Sequence, residues 1–142
     1  MKKFKVVSLF SGCGGADLGL LGGFWFLGKH YKRLNTSIVF SNDVDKYAAE
    51  TYRKNFAHPI SCEDIRNIKS KELPEHEILI GGFPCQSFSI VGQRQGISDL
   101  RGQLFLEMAR ILKDKQPAAF IGENVKGLTN LQNGKILDLI IK

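Results

Sequence analysis

Hydrophobic and polar positions along the chain form alternating blocks that predict strands and helices in turn. Short runs of β-branched and apolar residues bounded by turn residues are typical of buried strands, whereas apolar residues spaced three and four apart are typical of helices. The predicted strands are Phe4–Phe10, Ser37–Ser41, Pro59–Cys62, Glu77–Gly81 and Ala118–Gly122. The predicted helices cover about Ala16–Leu27, Asp45–Asn55, Gln103–Lys113 and Leu131–Lys142.

This order of elements predicts an α/β fold, in which a mostly parallel sheet carries helices on both faces. With 142 residues, the chain is long enough for one such domain over residues 1–142. Ligands of these sheets bind at the carboxyl ends of the strands. The clusters GCGG, NDVD, GGFPCQ and ENV each follow a predicted strand, so we expect the functional site at that edge.

A glycine-rich loop, FSGCGG at residues 10–15, follows the first predicted strand. Glycines there let the backbone approach a ligand closely and adopt dihedrals that side chains disfavour. The spacing is not GxGxxG, because Asp17 stands at the third glycine position. This argues against a loop that grips a pyrophosphate, and hence against a nicotinamide-dependent oxidoreductase, and favours a ligand without phosphates. A plain tight turn is the alternative.

Two acidic residues follow the next predicted strands. Asp43 is placed to accept hydrogen bonds from ribose hydroxyls, although it could instead be the N-cap of a helix, a role that Asp45 could equally fill. Asp64 could accept from an adenine amino group, with Ile65 packing on the ring. By itself Asp64 is also compatible with an ordinary loop acid.

Cys85 and Glu123 are the candidates for covalent chemistry. Pro84 favours an extended Phe83, so Cys85 should leave the sheet edge on a defined path. A lone cysteine is more often a small core residue. Glu123, however, ends a neighbouring apolar run, where a buried carboxyl would hold its proton. A thiolate beside a proton donor suits attack on an electron-poor ring; the alternative is that Glu123 caps the next turn.

Composition narrows the class of protein further. The hydrophobic fraction of 43% and the charged fraction of 24% are those of a globular domain. The apolar stretch Leu18–Leu27 is too short to cross a bilayer, and no signal peptide is supported. Three cysteines without paired spacing predict no zinc or other metal site and reduced thiols in a cytoplasm. A net charge of +6 permits, without requiring, binding to a polyanion.

Taken in order, these segments resemble the N-terminal part of the DNA (cytosine-5)-methyltransferases of bacterial restriction–modification systems. The resemblance extends from about Val6 to the end of the chain, and PCQ followed about forty residues later by ENV is highly specific. It rests on SLFSGCGGADLG, FSNDVDKYAAETYRKNF, EDI, GGFPCQSFSIVGQRQG and ENVKGL. The resemblance implies a Rossmann-like methyltransferase fold with S-adenosylmethionine as methyl donor, in a protein encoded by a bacterium or phage.

The resemblance also implies a role for each motif residue. Cys85 would add to carbon 6 of a cytosine flipped out of double-stranded DNA, and Glu123 would engage ring nitrogen 3. The implied donor-binding residues are Phe10, Gly12, Cys13, Gly14, Gly15, Asp43, Val44, Asp64, Ile65, Gly82, Pro84 and Leu104. The implied DNA contacts, on a loop that closes over the substrate, are Gln86, Ser87, Gln93, Arg94 and Arg101.

Two features depart from the family pattern. The segment FWFLGKHYKRLNT at residues 24–36 is longer than this region requires, which predicts a surface insertion. The family's later QxRxR-type motif, its target-recognition region and the C-terminal strands that complete the donor site are not found in the sequence. We therefore expect a fragment, or one half of a split enzyme that works with a second polypeptide. The alternative is an inactive truncated remnant that acts at most as a binding module.

Overall fold

A four-stranded parallel sheet is the centre of the computed structural model, which describes residues 2–84 and 104–130. The sheet order is β4-β1-β5-β6. Its strands are β1 (Phe4–Leu9), β4 (Thr36–Asn42), β5 (Ile78–Gly81) and β6 (Ala119–Gly122). The helices are α1 (Gly15–Leu21), α2 (Lys46–Asn55), α3 (Leu104–Lys115) and α4 (Gly127–Asn130), with 3-10 turns at Ile65–Asn67 and Ser70–Glu72. A separate hairpin joins β2 (Phe24–Phe26) to β3 (Lys29–Tyr31).

The strand register aligns all four carboxyl ends of the sheet. Leu9 of β1 pairs with Asn42 of β4 and with Gly81 of β5, and Gly81 pairs with Gly122 of β6. The chain order reverses between β1 and β5, which is the switch point where such sheets bind ligands. The residues that follow these ends therefore emerge side by side at one edge.

Apolar side chains cover both faces of the sheet, as the interleaved sequence pattern predicts. On one face Val7, Leu9 and Leu79 pack with Met108 and Ile111 of α3. On the other face Val6, Ile38 and Ile80 pack against partly buried leucines of α1. Residues 6–9 of β1 are buried, and because both faces of the sheet are covered there, this part of the strand shows no strict alternation of apolar and polar residues.

Most predicted elements agree with the structure to within two residues, but the predicted third strand is smaller. Of Pro59–Cys62, only Ser61 pairs with the sheet, in a single parallel bridge to Asn42. The predicted helix Leu131–Lys142 lies outside the described residues. Within the described ranges, no helix is long and apolar enough to span a membrane.

The predicted helix Ala16–Leu27 is wrong in its second half. The helix ends at Leu21 because Gly22 and Gly23 both have positive φ, at 60° and 80°. A Cβ on Gly22 would overlap the Lys32 carbonyl. Only glycine fits at this position, because the two backbone segments lie too close together for a side chain. The following residues form the β2–β3 hairpin at the surface; that the segment is an insertion in the family pattern stays a prediction.

Candidate functional site

A cavity of about 170 Å³ opens at the carboxyl edge of the sheet. The structure places eight of the twelve predicted donor-binding residues around it, and their contact with a ligand stays a prediction. These eight are Phe10, Asp43, Val44, Asp64, Ile65, Gly82, Pro84 and Leu104. Asn42 and Glu63 complete the lining and were missed by the sequence analysis. Gly12, Cys13, Gly14 and Gly15 are not among the lining residues.

The glycine loop lies beside this cavity and is held in a strained turn. Phe10, which lines the cavity, has a φ of 54°, and Gly12 and Gly14 have φ of 55° and 94°. A Cβ on Gly14 would collide with the ring of Phe56. Since positive φ at a bulky residue such as Phe10 is uncommon, its conformation is imposed by the surrounding turn.

Asp43 fastens the glycine loop to the end of β4. Its Oδ2 accepts a hydrogen bond from the Gly12 amide at 2.7 Å, and its Oδ1 accepts from the Asp45 amide at 2.8 Å. The cap of α2 is Asp45 instead, whose Oδ1 accepts from the amides of Tyr47 and Ala48. Each carboxylate oxygen has a second lone pair, so Asp43 can still accept from a ligand hydroxyl.

Asp64 is engaged by its own 3-10 turn. Its Oδ1 accepts from the Arg66 amide at 2.9 Å, and the Arg66 guanidinium forms a two-point ion pair with the carboxylate. These hydrogen bonds from Arg66 lower the pKa of Asp64. The carboxylate therefore stays ionised and can act only as an acceptor, which fits a ligand amino group.

Asn42 connects three segments of the cavity wall. The residue is buried, and its Nδ2 donates to the carbonyls of Ser61, at 3.2 Å, and Glu63, at 2.8 Å. Its own carbonyl accepts from the Ser11 amide of the glycine loop. The sequence contained the NDVD cluster, but contacts with backbone carbonyls about twenty residues away leave no local pattern, so Asn42 was not singled out.

We expect Asn42→Ala to lower the free energy of unfolding by about 2 kcal/mol, because the Glu63 carbonyl loses its buried donor. The Ser61 carbonyl still accepts a hydrogen bond from the Asp43 amide. The free energy of unfolding should therefore fall by less than if both carbonyls lost their only donor. Urea unfolding measures the effect. Asn35→Ala is the matched control, since its exposed amide donates only to the Lys2 carbonyl. Equal losses in both variants would contradict the proposed role of Asn42.

Glu123 lies against the segment that leads to Cys85. The Glu123 amide donates to the Gly81 carbonyl at 2.9 Å, and a Cβ on Gly82 would lie 3.1 Å from Glu123 Oε2. The next residue, Asn124, donates from Nδ2 to the Phe83 carbonyl at 2.9 Å. The ENV and GGFPC segments are therefore joined by both backbone and side-chain hydrogen bonds.

The expectation that Glu123 is buried is wrong, because its side chain is exposed. It follows β6, which is exposed along its whole length. Cys85 itself lies outside the described residues, as do the predicted DNA contacts Gln86, Ser87, Gln93, Arg94 and Arg101. The residue directly before Cys85, Pro84, is described by the structure and lines the cavity.

Asp17 explains the departure from GxGxxG. The residue is fully buried, and its carboxylate accepts from Ser8 Oγ at 2.5 Å, Tyr52 Oη at 2.6 Å and Ser41 Oγ at 3.3 Å. Burial, followed by the hydrogen bond to Asp17, raises the pKa of the Tyr52 phenol. One carboxylate thus ties β1, β4 and α2 together beneath the glycine loop, where a dinucleotide fold would place a glycine.

Comparison with known proteins gives a consistent result. The sequence profile of the family described as C-5 cytosine-specific DNA methylase matches residues 4–142. Type II methyltransferase M.FnuDI of Fusobacterium nucleatum is 46% identical over 97% of the chain and 37% of its own length. Type II methyltransferase M1.ScrFI of Lactococcus lactis subsp. cremoris is 42% identical over 98% and 33%. The chain thus spans about a third of the length of these relatives.

Solved structures show the same fold. The Dnmt2 methyltransferase of S. pombe superposes with a TM-score of 0.70 at 24% identity, over 98% of this chain and 41% of that one. The Entamoeba histolytica methyltransferase EhMeth gives a TM-score of 0.74 at 19% identity, over 99% and 43%. At such identities the likeness concerns the fold alone. The sheet is that of the Rossmann-like methyltransferases, as the sequence resemblance implied.

Proposed function

Because the chain belongs to the C-5 cytosine-specific DNA methylase family, we propose that it carries the donor-binding and catalytic elements for methyl transfer from S-adenosylmethionine to carbon 5 of cytosine in double-stranded DNA. The observation that carries this proposal is the placement of Glu123 beside Gly82, at the rim of a cavity lined by Gly82 and Pro84. This placement supports a donor site and a catalytic acid that would be adjacent at one sheet edge.

The charge of the cavity supports a donor of this class. All of its ionisable lining residues, Asp43, Glu63 and Asp64, are acidic. Such a lining repels phosphates and attracts a cation. S-adenosylmethionine supplies an electrophilic methyl group on a positively charged sulfonium and carries no phosphate. Asp43 would accept from its ribose hydroxyls, and Asp64 from its adenine amino group.

The proposed reaction assigns bond changes to two side chains. The Cys85 thiolate forms a bond to carbon 6 of a flipped cytosine, while Glu123 hydrogen-bonds ring nitrogen 3 and stabilises the charge that develops there. Carbon 5 would then become nucleophilic and take the methyl group, while the bond between the methyl group and the sulfonium sulfur breaks and the donor leaves as the neutral thioether. A base would remove the proton from carbon 5, the bond between the Cys85 sulfur and carbon 6 would break, and 5-methylcytosine would leave with the Cys85 thiolate restored.

The exposure of Glu123 is compatible with this role. An exposed carboxyl is accessible to a base that enters from outside, and the base itself then excludes water from the carboxyl.

The apolar surface of β6 supports a further part of the proposal, which is that additional chain or a second polypeptide completes the sheet. Phe120 is 61% exposed and Ile121 is 45% exposed, although both lie in a strand of a buried-sheet fold. Parallel sheets of this class are normally covered on both faces. A target-recognition region on that additional part would select the DNA site.

The proposal is tested by a methyl-transfer assay on plasmid DNA with labelled S-adenosylmethionine. We expect little transfer by the 142 residues alone, and sequence-specific transfer once they are joined to, or mixed with, the remaining two thirds of the family's length. Robust sequence-specific transfer by the 142 residues alone would contradict the need for a completing part. No transfer by the completed protein would favour the inactive remnant.

A further inference from the structure

The β2–β3 hairpin, residues 24–31, presents large apolar side chains to solvent. Trp25 is 72% exposed, Phe26 is 58% exposed, and Leu27 at the tip is 88% exposed. Rings pair across the two strands, Phe24 with Tyr31 at 5.0 Å and Trp25 with His30 at 5.1 Å. Large exposed apolar clusters of this kind mark interaction surfaces.

The turn of the hairpin is conformationally strained. Leu27 and Gly28 form its two-residue loop, with φ of 47° and 74°. Positive φ at both positions suits asparagine and glycine, whereas a leucine there carries a steric penalty. Because Leu27 is both strained and exposed, stabilisation of the fold does not explain its presence in the turn. Its strain and exposure point instead to a contact with another molecule.

The charge around the hairpin is positive. No acidic residue occurs between Leu18 and Asn42, and the same segment contains Lys29, Lys32 and Arg33. Lys29 Nζ lies 5.2 Å from the centre of the Tyr31 ring. Cations interleaved with exposed aromatic rings, without acids, favour a nucleic acid over an apolar protein groove.

Charged residues of neighbouring elements in the described part of the chain are consistent with this pattern. Lys2 and Lys3 lie beside the segment that leads from the hairpin into β4, because Asn35 Nδ2 donates to the Lys2 carbonyl and the Phe4 amide donates to the Asn35 carbonyl. The carboxylate of Glu77, directly before β5, forms an ion pair with Lys2 Nζ at 3.5 Å and accepts a hydrogen bond from the Lys5 amide at 2.7 Å. The excess of positive charge at this pole is therefore available to a polyanion.

We propose that the β2–β3 hairpin is a second contact surface for duplex DNA. A two-stranded ribbon has dimensions that the major groove admits. Lys29 of the hairpin and the adjoining Lys32 and Arg33 would contact phosphates, and Leu27 and the neighbouring rings would contact base edges and thymine methyl groups. This contact is separate from the methyl-transfer site and does not depend on the proposed catalytic residues.

The position of the hairpin defines which DNA it reaches. It precedes the amino end of β4, and the Leu34 amide donates to the Leu21 carbonyl at the end of α1. The candidate donor cavity opens at the opposite, carboxyl edge of the same sheet. The hairpin would therefore hold a stretch of duplex other than the one in the catalytic cleft, and would keep the protein on DNA between turnovers.

Trp25 is the only tryptophan of the chain, so its fluorescence reports on the hairpin alone. A short duplex oligonucleotide of mixed sequence should change the intensity and wavelength of the Trp25 emission, and added salt should reverse the change. Combining Lys29→Gln, Lys32→Gln and Arg33→Gln should weaken binding at least tenfold at low salt. It should also reduce the slope of log affinity against log salt by about two to three units.

The matched control removes the same charge elsewhere. Lys54→Gln, Lys71→Gln and Lys113→Gln alter exposed lysines on other elements and should change the Trp25 titration by less than the hairpin variant does. Leu27→Asn is a second variant, because asparagine before Gly28 suits the turn. It should keep or raise the melting temperature while weakening DNA binding several-fold.

The proposal is overturned if a labelled duplex binds, by anisotropy, without changing the Trp25 emission. It is also overturned if no duplex binds, or if hairpin and control variants lose affinity equally. A blue shift of the emission that depends on protein concentration without DNA would assign the surface to a second copy instead. A shift that only anionic lipid vesicles produce would assign it to a membrane. None of these results requires methyl transfer.

Discussion

Cys85→Ser should reduce methyl transfer by at least about 10³-fold in a preparation that methylates DNA. A serine hydroxyl is far less ionised and less nucleophilic than a thiol, so the bond to carbon 6 would not form at a useful rate. The loss should appear in kcat, with donor and DNA binding retained, because neither depends on the sulfur. Single-turnover transfer of labelled methyl groups, with binding measured in parallel, separates the two effects.

The other two cysteines provide the controls for this prediction. Cys13 is exposed in the glycine loop and Cys62 is half-buried, and neither follows β5, the strand that pairs with the one before Glu123. Cys62→Ser should therefore keep kcat within a few-fold of the unmodified protein, and Cys13→Ser, in the predicted donor-binding loop, should lose far less than Cys85→Ser. If Cys85→Ser kept a comparable rate, or if Cys13→Ser lost as much as Cys85→Ser, the assignment of the nucleophile would be wrong.

Asp17→Ala should lower the free energy of unfolding by about 3 kcal/mol. The substitution removes three buried hydrogen bonds and leaves a cavity beneath the glycine loop. Ser41 and Tyr52 can still bond each other at 2.7 Å, and Ser8 can still bond Ser11, which limits the loss. Against a total of about 7–20 kcal/mol for a domain of this length, this is a large effect, measurable by urea unfolding.

Two milder variants show whether hydrogen bonding is the cause. Asp17→Asn preserves the shape of the side chain and should lose only about 1 kcal/mol, since an amide can accept from one hydroxyl and donate to another. Tyr52→Phe removes one donor and should fall between the two. Equal stability of Asp17→Ala and Asp17→Asn would show that the network of Ser8, Asp17, Ser41 and Tyr52 does not stabilise the fold.

The strands were predictable because their residues form short apolar runs of the kind that a parallel sheet normally buries on both faces, a pattern that β6 shares although it is exposed. The helix over Ala16–Leu27 failed for a related reason, since an apolar run such as LGLLGGFWFLG has no clear period. Its ending depends on a contact of Gly22 with Lys32, ten residues away. Ser61 makes only one bridge, since strand pairing depends on partners that local propensity does not reveal.

The candidate site was predictable as far as it follows from sheet geometry. Residues directly after parallel strands meet at one edge, which is how Phe10, Asp43 and Gly82 came to line one cavity. Side-chain environment was not predictable in the same way. The pairing of Asp64 with Arg66 and the exposure of Glu123 depend on neighbours that the sequence pattern does not specify.

The central claim is that Cys85 and Glu123 act on one cytosine beside the donor cavity, and its most direct test is covalent trapping. The completed protein would be mixed with S-adenosylmethionine and a duplex that contains 5-fluorocytosine, which cannot lose its carbon 5 substituent as a proton. We expect a denaturation-resistant complex that requires the donor, maps to Cys85 by peptide mass and is absent in Cys85→Ser. An adduct at Cys13 or Cys62, or methyl transfer to ordinary cytosine without any trapped complex, would contradict the account.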